Sequence, residues 1–201
     1  MNISIVKRQV VLILAAFFVL VAGLPAAAED CRETVVIDSV EYDIPPRWCG
    51  HKLDSADIAL PEDLVRLPEH LCFEDYRIYV LPSTRDALVK MAGAARADGV
   101  DLIVDSGFRS ANFQKRIIRR RLAEGKSFAA IVRFVAPPGY SEHETGRALD
   151  FVPSEAAFAK TDAYRWLKKH ADEYGFVETY PEEDNETAPW ESSHWCYHPE
   201  R

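Results

Sequence analysis

Apolar residues are distributed unevenly along the chain, and each distribution predicts a different kind of segment. Fifteen uncharged, mostly aliphatic residues run from Val10 to Leu24, behind Lys7 and Arg8 and ahead of Pro25-Ala26-Ala27-Ala28. A basic start, an apolar centre and a small-residue A-x-A site define a secretory leader, so residues 1–28 are predicted to be removed. The apolar run falls short of the roughly 20 residues that a membrane span needs, so no stable span is expected after cleavage. Residues 29–82 show little periodicity, because Pro45, Pro46, Pro61, Pro68 and Pro82 interrupt short strand-like runs at Thr34–Ile37 and Arg77–Leu81. Such a stretch has too little apolar pattern to bury a core alone. It is predicted to be an irregular, disulfide-tied N-terminal extension wrapped on the domain that follows.

From Ser83 the pattern becomes regular. Leu88, Met91, Ala92 and Ala95 recur on one helical face, with Ser83 or Thr84 as cap and Gly99 as stop. Val100–Val104 reads as a buried strand leading into the turn Asp105–Ser110. A second helix then runs to about Glu124, and a short third one over Ser127–Phe134 ends at Pro137-Pro138-Gly139. Ala148–Val152 alternates as a strand. Thr161 caps a helix through Tyr164, Trp166, Leu167, Ala171 and Tyr174, ended by Gly175, and Phe176-Val177 and His194–His198 complete the strands. Helices interspersed with short strands, lacking the regular alternation of a parallel sheet, predict an α+β domain over residues 83–201.

Composition narrows the class without selecting a function. The formal charge is −8, and it becomes −10 once Lys7 and Arg8 leave with the leader. That balance argues against a nucleic-acid partner, which requires a basic surface. The basic face of Lys115, Arg116, Arg119, Arg120 and Arg121 is read as solvated. Cys31, Cys49, Cys72 and Cys196 in an exported chain suggest two disulfides, with three pairings open. Three of the four precede residue 73, so at least one bridge is expected to tie the two ends together.

Three segments carry candidate chemistry. In Ser141-Glu142-His143-Glu144-Thr145-Gly146-Arg147-Ala148-Leu149-Asp150, an aspartate sits inside an apolar strand, where an ionised carboxylate is costly unless paired or metal-bound. A turn at Gly146 would bring His143 toward Asp150. In Glu191-Ser192-Ser193-His194-Trp195-Cys196-Tyr197-His198, strand alternation puts His194, Cys196 and His198 on one face. His194 would complete a His/His/carboxylate set of the kind that holds catalytic zinc, with Glu191 beside it as general base. The third segment, Ser106-Gly107-Phe108-Arg109-Ser110 with Gln114, aims Arg109 from a turn after a buried strand, where it could oppose an oxyanion.

Together these segments resemble the VanY-type zinc D-alanyl-D-alanine carboxypeptidases, in the group that includes lysostaphin-like endopeptidases and the hedgehog domain. The family's SGYRS with a following YQ, SxHxxGxAxD, WL with YGF, and EPWHWRY appear here in order. They read SGFRS with Phe113-Gln114, SEHETGRALD, Trp166-Leu167 with Tyr174-Gly175-Phe176, and ESSHWCY. The resemblance covers about Ser83 to Tyr197. It implies a small antiparallel sheet with flanking helices and one zinc ion per chain held by His143, Asp150 and His194. It further implies Glu191 as base, Arg109 as oxyanion stabiliser, and Ser141 and Gln114 on the substrate. The implied substrate is a peptidoglycan stem peptide losing its C-terminal D-amino acid, the implied location periplasmic or secreted, and the chain a monomer. L,D-carboxypeptidase, cross-link endopeptidase and a non-catalytic zinc-containing peptidoglycan-binding module remain alternatives. Two departures bear on the floor of the site: Ser192-Ser193 replaces Pro-Trp, and Cys196 replaces arginine.

Overall fold

A computed structural model describes residues 31–184 and 189–199; the expected leader, residues 1–28, lies outside them. The described chain begins with two antiparallel hairpins. In the first, β1 (Thr34–Ile37) pairs with β2 (Val40–Asp43) through Asp38 and Ser39. Both turn residues have positive φ, 51° and 65°, as a two-residue primed turn requires. In the second, β3 (Val65–Arg66) pairs with β4 (Tyr79–Val80).

Helix α1 spans Pro82–Ala97. Its start differs from the expected Ser83 or Thr84 cap: Pro82 fills the first helical position and Leu81 precedes it with no side-chain cap bond. The fixed φ of proline preorganises that turn in place of a hydroxyl. The strand expected at Val100–Val104 is displaced to β5 (Val104–Ser106). Val100 is drawn back onto the helix end, its N–H donating to Ala95 O at 2.9 Å, so the chain becomes extended only further on. Helices α2 (Ala111–Ala123) and α3 (Phe128–Ile131) follow, capped by the Ser110 and Ser127 hydroxyls. Strand β6 (Ala148–Phe151) precedes α4 (Asp162–His170), whose cap Thr161 accepts from Tyr164 N–H. A 3-10 turn over Ala171–Tyr174 carries the chain to Gly175, β7 (Phe176–Glu178) and finally β8 (His194–Tyr197).

The last four strands form one antiparallel sheet in the order β5-β6-β8-β7. Strand alternation divides its residues between two faces. Leu149, Phe151 and Trp195 join Leu88, Met91 and Leu167 in the main core, under α1 and α4. Asp150 and His194 therefore point to the opposite face. A second core packs Ile37, Ile44 and Trp48 against Ile118, Phe128 and Val132, so residues 31–80 contribute to both cores. The described residues fall within one compact unit, and no described helix is long and apolar enough to cross a membrane.

The cysteines bear out a disulfide-tied N-terminal extension but not a second bridge. One disulfide joins Cys31 to Cys49, while Cys72 and Cys196 are buried free thiols. No bridge ties the two ends, because Cys72 packs in the main core with Trp195, and Cys196, next along β8, faces the other side.

Candidate functional site

The register of the sheet places the candidate ligands. Asp150 on β6 stands directly opposite His194 on β8, and across from Ser106 on its other side. The third ligand comes from a 3-10 turn, Glu142–Thr145, ended by Gly146 at φ 67°. A side chain at Gly146 would also crowd Leu64, Leu81 and Ala59 at 3.1–3.3 Å, so glycine suits both the backbone and the space. This turn is tied to the arginine turn by two bonds: His143 Nδ1 to Gly107 O at 2.7 Å, and Arg109 N–H to His143 O at 3.2 Å. Gly107 in turn lies so close to β4 that a Cβ there would meet Tyr79 O at 2.7 Å.

One donor atom from each of His143, Asp150 and His194 lies within 4.8 Å of the others. His143 Nε2 is 3.3 Å from Asp150 Oδ2, and His194 Nδ1 is 3.0 Å from Asp150 Oδ1. The second nitrogen of each imidazole is also engaged, His143 Nδ1 by Gly107 O and His194 Nε2 by Glu142 Oε2 at 2.8 Å. Two imidazoles and a carboxylate, each ring oriented by an outer acceptor, form a donor set that fits zinc.

The electrostatics are those of a cation site. Burial alone would raise the Asp150 carboxyl, but His143, His194 and Arg109 hold it well below its usual range. Burial likewise opposes charge on His194, yet its bonds to Asp150 and Glu142 prevail and raise it to about 10. Those two acids favour a cation at this point of the sheet, and a divalent ion bound there would take the place of the His194 proton. Burial lowers His143, keeping its imidazole neutral as a ligand must be. Glu191 is raised, first by burial and also by the Asp150 charge.

Every candidate residue lines the same pocket. Arg109 donates from Nε to Ser106 Oγ at 2.7 Å and from Nη2 to Asp150. Gln114 and Ser141 are buried in the wall. Gln114 donates from Nε2 to Ala136 O at 3.1 Å, while its Oε1 is buried without a hydrogen-bond partner. Glu191 is anchored by its own N–H to Tyr180 O at 3.0 Å, and its carbonyl accepts from His194 N–H at 2.9 Å. The neighbouring Trp190 donates from Nε1 to Glu178 at 2.9 Å.

Sequence reasoning missed Glu142, Tyr180 and Trp48, which line the pocket as well. Glu142 adjoins His143 in sequence, and its carboxylate within a ligand-bearing turn was the available signal. At the departures from the family pattern, Ser192 O accepts from Trp195 Nε1 at 3.0 Å and Ser193 O from Phe151 N–H at 3.0 Å. Backbone bonds thus hold this corner. Cys196 sits between Ala148 and Val177; burial and then the Glu142 charge push its thiol up, and no disulfide braces its strand.

Comparison with known proteins gives a consistent picture. A family model described as VanY, D-alanyl-D-alanine carboxypeptidase, matches residues 77–200. The putative carboxypeptidase YodJ of Bacillus subtilis is 32% identical over 146 residues, covering 67% of this chain and 52% of that protein. The chain spans about half the length of three of the curated relatives it matches. Among solved structures, the LdcB LD-carboxypeptidase aligns with a TM-score of 0.63 and 27% identity, over 82% of this chain and 83% of that one. A mutant of the vancomycin-resistance D,D-pentapeptidase VanY in complex with Zn(II) aligns with a TM-score of 0.51 and 30% identity, over 66% and 82%.

Proposed function

The chain belongs to the VanY family of D-alanyl-D-alanine carboxypeptidases, and from that premise we propose that it is an exported, zinc-dependent carboxypeptidase. Its substrate is a peptidoglycan stem peptide, from which it removes the C-terminal D-amino acid. The observation that carries this reading is the convergence of His143, Asp150 and His194 in one pocket with Glu191 and Arg109.

His143, Asp150 and His194 would hold one zinc ion. Bound there, zinc supplies Lewis acidity toward the scissile carbonyl and lowers the pKa of water. Glu191 takes the proton of the attacking water on its carboxylate and delivers it to the leaving amine nitrogen. Its buried setting brings its pKa closer to the working pH, which suits a group that must both accept and release a proton. Arg109, fixed by Ser106, opposes negative charge on the carbonyl oxygen. Glu142 orients His194 through Nε2, leaving Nδ1 for the metal. Gln114 and Ser141, both in the pocket wall, contact the peptide.

The likeness to the LdcB LD-carboxypeptidase over most of both chains favours a second reading, in which the substrate is a tetrapeptide stem. Mass spectrometry of pentapeptide, tetrapeptide and cross-linked muropeptides after incubation with zinc-loaded protein decides between them. Loss of one C-terminal residue from the pentapeptide is expected. Trimming of the tetrapeptide alone selects the second reading, and intact products throughout leave a binding module.

A further inference from the structure

Two guanidinium groups, Arg47 and Arg133, lie beside Trp48 and Phe134, which line the pocket. Arg47 belongs to the 3-10 turn Pro46–Trp48, outside the family-matched residues, and Arg133 follows α3. The two segments are clamped together: Arg47 Nη1 donates to Arg133 O, and Trp48 Nε1 donates to Val132 O at 2.7 Å. Each guanidinium lies over the ring of its own neighbour, Arg47 at 4.5 Å from Trp48 and Arg133 at 5.6 Å from Phe134. Both rings line the pocket that holds Glu191 and His194.

Arg47 is half-buried, and among the described residues no carboxylate lies within ion-pair distance of Arg47 or Arg133. Burial, and then the nearby Arg133 charge, lower the Arg47 pKa, while Tyr180 and Glu191 act in the other direction. That interaction places Arg47 within electrostatic reach of the catalytic wall. A partly desolvated cation beside a second cation is unfavourable on its own, and an anion placed between them reverses the sign. The planar fork of arginine suits a carboxylate in particular. The aromatic rings beside each guanidinium supply an apolar wall for the chain that carries it.

We propose that Arg47 and Arg133 form a clamp for a carboxylate of the bound peptide, making the segment before the family-matched region a determinant of substrate choice. The proposal rests on the pocket being the peptide-binding site. Peptides offer this chemistry from two sources, the C-terminal carboxylate and an acidic group within the stem, and the test separates them.

Isothermal titration with zinc-loaded Glu191→Gln protein reads binding without turnover. The probes are one pentapeptide stem as the free acid, its C-terminal amide, and a form amidated at its internal carboxylates. In this background Arg47→Ala and Arg133→Ala should each weaken the free acid about tenfold, and Arg47→Lys should restore part of the loss. One amidated form should be insensitive to both substitutions, which identifies the carboxylate held. Loss by a common factor for all three probes, or no loss for any, overturns the clamp while leaving the substrate assignment standing. A Glu191→Gln protein that binds none of the probes overturns both. Arg-dependent binding without muropeptide cleavage by the unmutated protein keeps the clamp and removes the hydrolytic reading. Thermal melts confirm that each variant is folded, and the exposed Arg133→Ala serves as the test if Arg47→Ala is not.

Discussion

In the four-stranded sheet, Asp150 and His194 are held by backbone register, each flanked by paired strands and backed by a core that includes Phe151 and Trp195. In residues 31–80, two short hairpins and three 3-10 turns are held differently: by the Cys31–Cys49 disulfide, by the Trp48 bond to Val132 O, and by the Tyr140 hydroxyl donating to Glu33 at 2.5 Å. Both regions reach the same pocket. The first fixes the candidate ligands Asp150 and His194 against each other, because a ladder holds both partners. The second presents Trp48 from irregular backbone, fixed by a disulfide and by side-chain bonds in place of a ladder. Two candidate ligands and the outer wall at Trp48 are thereby held by two different kinds of contact.

The sharpest way to break that contrast is at the ligands. Asp150→Ala should abolish both metal retention and hydrolysis, since it removes a ligand and the carboxylate that joins the two imidazoles. Glu142→Gln touches only the outer nitrogen of His194 and should cost about 10- to 100-fold in zinc affinity. Zinc content after dialysis against a graded chelator measures both. Equal losses would mean that Glu142 is itself a ligand.

Next in size is the base. Glu191 must be ionised to accept a proton, and burial holds its pKa above the ordinary 4.5. The kcat/KM should therefore fall as pH drops through that raised value and recover as pH rises above it. Glu191→Gln should lower kcat by about 10²- to 10⁴-fold, remove that acidic limb and leave the zinc content unchanged. An acidic limb that persists in Glu191→Gln assigns the titration to another group.

The same division explains what could be read from sequence. Asp150 was legible because a carboxylate in an apolar strand violates its surroundings, and His194 because period-2 alternation with Trp195 gives it a face. The helix ended by Gly175 was legible from its cap Thr161 and its apolar spacing, although its last turn tightens to 3-10 geometry over Ala171–Tyr174. The displaced start of β5 was not, since it depends on a bond from Val100 back to α1. Trp48 and Tyr180 lie in irregular segments, where no period predicts direction, and the approach of Trp48 is set by its bond to Val132 O, 84 residues along the chain. Cysteine pairing was illegible for a related reason: four thiols give a count, whereas pairing depends on where the fold carries each one.

The smallest expected effect comes from the disulfide, and it bears most directly on the contrast between the two regions. Cys31 and Cys49 are 18 residues apart, and closing a loop of that length contributes about 3 kcal/mol through the unfolded state. Cys31→Ser with Cys49→Ser should lower the urea midpoint accordingly. Because Cys49 follows Trp48 directly, the freed segment should also raise KM several-fold by loosening the wall, with kcat and zinc content close to those of the unmutated protein. The sheet does not depend on this bridge, since its strands pair with one another and Trp195 is buried in the main core. A fall in kcat as large as the rise in KM would show that the wall positions the reacting bond as well as the peptide, and the division between the two regions would then fail at Trp48.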